Sequence, residues 1–238
     1  MAAPKRFFVD SVGGEEIVLT GDTYSHIRNV LRLRVGDEIV LLDNSGKEYD
    51  AVIRVLGKGS LTCSVLSSRV SDKECAERIA LFSGFLKGDK TETVVQKATE
   101  LGVREIGLFT SRYCSAYPSE TKLQRLRKVA FEAAQQCLRP VAPSVTLYDF
   151  SGALRAADGY ENKIFACEFA EKNDIALRSL RGSCALMVGS EGGFSREEFE
   201  EAKRCGWSGV TLGRRILRAE TAAVALTAIT AYCLGEME

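Results

Sequence analysis

Histidine is almost missing from this chain of 238 residues: His26 is the only one. A Ser-His-Asp constellation needs a histidine poised beside a nucleophile, and His26 lies far from any candidate, in a strand-rich N-terminal stretch where a structural or capping role suits it. Net charge is missing too, since 32 lysines and arginines balance 32 aspartates and glutamates. A nucleic-acid binder is more often clearly basic, so only the distribution of charge can argue for such a partner. No apolar run approaches the roughly 18 residues of a membrane-spanning helix, and MAAPKRFFVDSV holds no long apolar segment of the secretory kind; a cytoplasmic protein without membrane contact is expected. The eight cysteines form no CxxC pair and no histidines cluster near them. That spacing offers no zinc site, so no metal is expected, and the thiols read as reduced, buried small hydrophobes. Also absent are a GxGxxG with a downstream acid and a GK[ST] loop, which leaves neither a dinucleotide site nor a Walker loop supported.

What is present divides the chain. The first seventy or so residues carry short Val/Ile/Leu-rich segments, EEIVLT, DEIVLLD, EYDAVIRVL and SLTCSVLS, separated by glycine-bearing turns, and a small β-barrel fits this rhythm. Residues 24–33 interrupt it with a helical pattern that puts Ile27, Val30 and Leu31 on one face and Arg28, Arg32 and Arg34 outside. Those arginines are either a solvated helix face or phosphate contacts. Residues 70–78 are polar and aperiodic and read as a boundary.

From Ile79 onward strands and helices alternate, which makes the class α/β. IALFSGFL is a continuous apolar run of the kind buried on both faces of a parallel sheet. A helix over 91–101 follows, with Val94, Val95, Ala98 and Leu101 on one face and Gly102 as its stop, and then the strand EIGLFT. Residues 119–138 form an amphipathic helix with the stripe Leu123, Leu126, Ala130 and Ala134, ending near Arg139-Pro140. Lys122, Arg125, Arg127 and Lys128 crowd its first half, where positive charge opposes the helix dipole. They are either a solvated face or a site for an external anion. Strands VTLYDF, KIFACEF and CALMVG complete the pattern, with a short helix near 152–157.

The chemistry-bearing stretch is 186–232, where two glycine turns each follow an apolar run and precede a helix. In the first, Gly189, Gly192 and Gly193 free the backbone to approach a ligand, and Ser195 with Glu198 has the spacing of a capping box. Acidic residues at the following helix start would repel a polyphosphate, so a ligand bearing positive charge is easier to hold. The second turn, Leu212-Gly213-Arg214-Arg215-Ile216-Leu217-Arg218, precedes an almost wholly apolar helix rich in alanine. Arg218 and Glu220 are either an ion pair at a helix start or groups placed for a ligand.

These segments, GSEGGFSREE followed by LGRRILRAETA, resemble the paired C-terminal motifs of the RsmE-like 16S rRNA uridine-N3 methyltransferases of the SPOUT superfamily. RFF at 6–8, HIRNVLRLRVGDEI at 26–39, QKATELGV at 96–103 and AAQQCLRP at 133–140 are similar to the family's other motifs, in the same order, so the resemblance spans nearly the whole chain. It implies a PUA-like β-barrel over 1–72 that assists RNA binding and an α/β methyltransferase domain over 73–238 with a C-terminal trefoil knot. It implies S-adenosyl-L-methionine as cofactor, homodimerisation across the knot through the apolar last helix, and methylation of N3 of a specific uridine, 1498 in standard numbering, in the 16S rRNA of the 30S subunit. The implied cofactor residues are Gly189, Glu191, Gly192, Gly193, Leu212, Gly213, Ile216, Leu217 and Thr221. Arg218 is the implied stabiliser of negative charge on the uracil oxygens, with Glu220 and Thr221 orienting it or the base, and Glu220 as a weaker candidate for proton acceptor. Implied phosphate contacts are Arg28, Arg32 and Arg34 in the small domain, and Lys87, Arg112, Arg125, Arg127 and Arg139 in the larger. Two departures stand out: Ser190 occupies the place of the family's usual proline, and Gln136-Cys137 that of a glutamine-serine pair. The alternatives are a SPOUT enzyme acting at another RNA position, tRNA included, and a non-enzymatic RNA-binding assembly protein.

Overall fold

A computed structural model describes residues 4–170 and 172–237. The chain forms two compact units, one of residues 1–74 with 134–142 and one of residues 75–133 with 143–238.

The smaller unit is a five-stranded sheet built from β1 (Lys5–Phe8), β2 (Glu16–Thr20), β3 (Glu38–Leu42), β4 (Lys47–Leu56) and β5 (Ser60–Val70). The strand order is β1-β3-β4-β5-β2, with β1 parallel to β3 and every other pair antiparallel. The ladder therefore stays open at β1 and β2. Phe7 of β1 and Leu19 of β2 nevertheless enter one core with Ile39, Leu41, Ile53 and Leu61, and the register shifts in the β4–β5 pair bend the strands to allow it.

The helical segment expected over 24–33 starts earlier and changes type. A short helix α1 (Gly21–Ser25) runs into a π-helical turn, His26–Val30, in which the Leu31 amide donates to the His26 carbonyl at 3.0 Å. This i→i+5 closure widens the turn, so Ile27 is fully buried while Val30 is 69 % exposed, not on the buried face as the helical spacing implied. Arg32, at φ 55°, ends the segment.

The larger unit is a parallel sheet of six strands: β6 (Ile79–Gly84), β7 (Glu105–Thr110), β8 (Ser144–Asp149), β9 (Asn162–Ala166), β10 (Cys184–Val188) and β11 (Ser208–Val210). In its order, β11-β9-β10-β6-β7-β8, the chain winds outward from β6 to β8, crosses to β9, steps back inward to β10 beside β6, and leaves in the opposite direction for the edge strand β11. The central strands β6 and β10 are buried along their whole lengths, which is why they read as unbroken apolar runs. The helices are α2 (Lys90–Glu100), α3 (Glu120–Gln136), α4 (Phe150–Ala156), α5 (Arg196–Arg204) and α6 (Ala219–Cys233). One face of the sheet packs on α2, α3 and α6 through Ile79, Val94, Leu126, Leu186 and Leu226. The other is an aromatic layer in which Phe165 and Phe194 stand 4.3 Å apart with Phe109, Phe150 and Trp207 around them. Leu123, Leu126, Ala130 and Ala134 are buried as the helical stripe of α3 demands. After β11 at the sheet edge, the chain returns to the middle, where α6 packs on α2 and on β10. Among the described residues no helix is long and apolar enough to cross a membrane.

Candidate cofactor site

Ligands of open α/β sheets bind beyond the carboxyl ends of the strands, where the strand order reverses. Here that point lies between β6 and β10, and a cavity of about 740 Å³ opens there, walled by the segments that follow β9, β10 and β11. Gly189, Glu191, Gly192, Gly193, Leu212, Gly213, Ile216 and Leu217 all line it, together with Arg218 and Glu220. Two stretches separated in sequence by the whole of α5 are thus brought to one cavity.

Thr221 is the exception. It is exposed and does not line the cavity, because one residue further along α6 turns the side chain about 100° away from Glu220. Its placement as a cofactor contact or base-orienting group has no support in this geometry.

The first turn is held from below. Ser195 caps α5 by accepting from the Glu198 amide at 3.2 Å, and the Glu198 carboxylate accepts from the Ser195 amide at 2.8 Å, completing the capping box. Glu198 also accepts from the Arg112 amide at 2.8 Å, which ties the turn after β7 to α5. The acids at this helix start are therefore structural, while the carboxylates lining the cavity are Glu168, Glu191 and Glu220.

Most glycines of this turn serve protein packing rather than ligand approach. A Cβ on Gly189 would stand 2.8 Å from the Phe194 ring, and one on Gly192 would stand 2.6 Å from the Tyr113 carbonyl and Cβ. Gly213 differs: at φ +96° it is left-handed and nothing lies within 4 Å of its missing Cβ, so the second turn is where backbone faces open space. Thr211 shapes that turn, its hydroxyl donating to the Gly213 carbonyl at 3.2 Å and its amide to Asn173 at 2.8 Å. Ile216 is 94 % exposed at the cavity wall, an apolar surface without protein cover.

Three features were not read from the sequence. Lys90 reaches from the start of α2 to set its Nζ 3.1 Å from Glu191 Oε1 and 4.0 Å from Glu220 Oε1. Glu220 thus meets Lys90, and among the described residues it makes no ion pair with Arg218. Gly84, the last residue of β6, would place a Cβ 2.3 Å from the Ser190 nitrogen, so only glycine lets the turn after β10 cross there. Ser190 is 4 % exposed, and its Oγ is a buried polar atom without a partner among the described residues, as is Glu220 Oε2. The position of KGDK just after a central strand is the one sequence signal that could have pointed to Lys90.

Burial works to raise the Glu191 carboxyl, but the Lys87 amide and the Lys90 ammonium outweigh it and hold the group below the usual carboxylate range. Cys167, also at the cavity, is pushed up to about 12 by burial. It remains a thiol at neutral pH and is no nucleophile. Among the described residues no His/Cys/Asp/Glu group suits a metal ion.

The cavity suits S-adenosylmethionine. Two buried polar atoms lacking partners, Ser190 Oγ and Glu220 Oε2, lie in its wall and need hydrogen-bond partners. Leu212, Leu217 and exposed Ile216 offer cover for a flat ring, and the carboxylates of Glu168, Glu191 and Glu220 suit a cation.

The expected phosphate contacts fare unequally. Arg28, Arg32 and Arg34 are exposed on the smaller unit, and Lys87 is exposed on the larger. Arg112 is exposed but paired with Glu197 at 2.7 Å, and Arg125 with Glu92 at 2.8 Å. Lys122 shares Glu92 at 2.9 Å, so the basic start of α3 is answered by α2. Arg127 donates to the Val145 carbonyl at 3.2 Å. Arg139 is a correction: it is 2 % exposed, and its guanidinium grips the Glu74 carboxylate in two bonds of 3.0 and 2.8 Å. A side chain buried in that way holds the fold and does not face a phosphate.

Comparison with known proteins adds to this geometry. A family model described as an RNA methyltransferase domain matches residues 73–231, and one described as an RNA methyltransferase PUA domain matches residues 19–66. The chain is 32 % identical over 228 residues to ribosomal RNA small subunit methyltransferase E of Bacillus subtilis, covering 89 % of this chain and 88 % of that one. It is 31 % identical over 225 residues to the protein of the same name from Mesomycoplasma hyopneumoniae, covering 93 % of this chain and 96 % of that one. Among solved structures, ribosomal RNA small subunit methyltransferase E from Neisseria gonorrhoeae bound to S-adenosyl methionine superposes with a TM-score of 0.85 at 29 % identity, covering 98 % of both chains. A whole-length match in sequence and in fold leaves one assignment: the chain belongs to the ribosomal RNA small subunit methyltransferase E family.

Proposed function

We propose that this methyltransferase methylates N3 of a single uridine, 1498 in standard numbering, in the 16S rRNA of the small ribosomal subunit. The observation that carries the reading is the convergence of both glycine turns, Arg218 and Glu220 on one cavity at the strand-order reversal. S-adenosylmethionine, when bound, supplies an electrophilic methyl group on a sulfonium. Gly189, Glu191, Gly192, Gly193, Leu212, Gly213, Ile216 and Leu217 are the residues we assign to holding it.

Uracil N3 carries a proton that must leave as its new bond to carbon forms, and negative charge spreads over the flanking carbonyl oxygens. Arg218, exposed at the N-cap of α6 and lining the cavity, stabilises that charge by a preplaced positive group. Glu220 turns one oxygen toward Lys90 and leaves Oε2 without a protein partner; it accepts the N3 proton or a hydrogen bond that orients the base. Positioning two reactants in one cavity contributes a further large share of the acceleration.

We further assign residues 1–72 to RNA binding and 73–238 to catalysis, a division supported by the matched segments 19–66 and 73–231. A SPOUT-type trefoil knot over 186–232 is supported by the return of α6 from the sheet edge to β10. A homodimer is supported by Ile229 and Tyr232, 39 % and 62 % exposed on the apolar α6. The cytoplasm, where ribosomal subunits are built, is the assigned compartment.

The test is mass spectrometry of 16S rRNA nucleosides from cells with and without the protein, with transfer of labelled methyl groups to unmethylated 30S particles. A 3-methyluridine that disappears with the protein is expected. Unchanged modification, with no transfer to free 16S rRNA or to 30S particles, overturns the reading.

A further inference from the structure

We propose that the turn after β7 is an aromatic shelf for single-stranded RNA, with Tyr113 and Tyr117 as stacking faces beside the cofactor site. The inference rests on the protein's reading as an rRNA methyltransferase and adds to it the form in which the substrate is held.

Among the described residues the exposed large aromatics are Tyr113, Tyr117 and Tyr232, at 50 %, 78 % and 62 %. The other described Phe, Tyr and Trp rings are buried or partly buried, so large aromatic surface in water is the exception among the described residues. Two of the three fall within five residues of each other, in the segment leaving the carboxyl end of β7. That is the edge of the sheet where the cavity opens.

The backbone presenting Tyr113 is firmly held. Cys114 donates its amide to the Ser111 carbonyl at 3.0 Å, closing a turn with Arg112 and Tyr113 at its corners. The Cys114 thiol donates onward to the Phe85 carbonyl at 3.1 Å, anchoring the turn to the end of β6. On the other side, the missing Cβ of Gly192 makes room for the Tyr113 backbone and Cβ. Tyr113 is thus an exposed ring on a backbone fixed from both sides, with Tyr117 four residues further along the same segment, and Gly192 ties Tyr113 directly to the cofactor loop.

Its charge suits one kind of occupant. Lys87 is exposed on the neighbouring turn after β6, where the Lys122 ammonium donates to the Gly88 carbonyl at 3.3 Å. Arg112, at the corner of the shelf itself, and Arg125 have side chains 58 % and 62 % exposed, each on a surface ion pair, with Glu197 and Glu92, that a phosphate can compete for. Aromatic faces interleaved with lysine and arginine are how proteins hold unpaired strands, because every base has a π-face and every linkage a charge. The chemistry asks for the same thing. N3 lies on the Watson–Crick edge of uracil, so the target base must leave its stack before it can react. Neighbouring bases that stack on Tyr113 and Tyr117 offset that cost and keep the strand open beside the cavity.

The test compares the full-length protein with the double variants Tyr113→Ala/Tyr117→Ala and Tyr113→Phe/Tyr117→Phe. The alanine pair keeps the Cβ that rests on Gly192. Binding of a fluorescent single-stranded uridine-containing RNA and of its duplex is measured, together with KM and kcat on unmethylated 30S particles and calorimetric affinity for S-adenosylmethionine. The alanine pair is expected to weaken single-strand binding at least about tenfold, within the range of base–aromatic stacking, and to raise KM more than it lowers kcat. The phenylalanine pair restores both, and cofactor affinity stays unchanged in either. Alanine variants that bind and turn over like the wild type overturn the shelf, as does an equal loss on duplex or a phenylalanine pair as weak as the alanine pair. Wild-type protein that binds the single strand through these tyrosines but methylates no 30S particle overturns the proposed function instead and leaves the shelf standing.

Discussion

Lys90 Nζ lies 3.1 Å from Glu191 Oε1, joining the start of α2 to the turn after β10 across the point where the strand order reverses. With side chains about a third and a quarter exposed, such a pair stabilises the fold by only about 1 kcal/mol or less. Its larger effect is on protonation. The pair helps hold Glu191 below the usual carboxylate range, so Glu191 stays anionic, and able to face a cation, well into mild acid. Lys90→Met lets that carboxyl rise. Cofactor affinity, followed by calorimetry as pH is lowered, should fall away at higher pH than in the wild type, with the melting temperature little changed. An unshifted acid limb would show that the pair does not tune the site. The same sign holds for stability: the contribution of a depressed glutamate is complete above its unfolded pKa of about 4.3 and is lost as pH falls through the lower folded value.

Arg218 lines the cavity, yet its side chain makes no cap bond to α6. Arg218→Ala should therefore leave folding and cofactor affinity near wild type while turnover drops by roughly 100-fold or more, the scale seen when one preplaced group that stabilises transition-state charge is removed. Single-turnover methylation with saturating cofactor checks this. Turnover equal to wild type removes Arg218 from the mechanism.

Gly84 allows β6 to end directly beneath Ser190, where a Cβ would meet the Ser190 nitrogen at 2.3 Å. The obstacle is backbone, which cannot swing aside as a side-chain tip can. Gly84→Ala should cost about 1–3 kcal/mol and displace the turn carrying Glu191, weakening cofactor binding beyond the loss of stability. Denaturant unfolding and calorimetry on the same preparation separate the two effects.

Arg139 and Glu74 form a buried pair, their side chains 3 % and 8 % exposed. Glu74→Gln should destabilise the protein by on the order of 3 kcal/mol, because a buried guanidinium loses a charged bidentate partner. Urea titration measures the loss. Were Arg139 a phosphate contact instead, the substitution would spare stability and alter only the salt dependence of RNA binding.

Much of this protein is legible residue by residue. The β6 and β10 runs announce a buried parallel sheet, the spacing of Leu123, Leu126 and Ala130 announces the inner face of α3, and Ser195 with Glu198 announces a capped helix. Each depends on neighbours within one turn or one strand, which the order of residues states directly. The π-helical turn at His26–Val30 escaped this reading because its pattern matches that of an ordinary helix until the i→i+5 closure turns Val30 outward.

The sequence by itself determined an α/β chain with two glycine turns ahead of two helices, and motif order alone pointed to the family. Tertiary structure decided which atoms meet. It turned Arg139 inward onto Glu74, gave Glu220 to Lys90 rather than Arg218, left Thr221 exposed and outside the cavity lining, and showed that Gly189 and Gly192 make room for Phe194 and Tyr113. These outcomes depend on the order in which the strands lie side by side, which brings Lys90, Tyr113, Glu191 and Glu220 to one end of the sheet. Periodicity specifies the face a side chain takes on its own strand or helix, and contacts between distant segments are set only when those strands assemble.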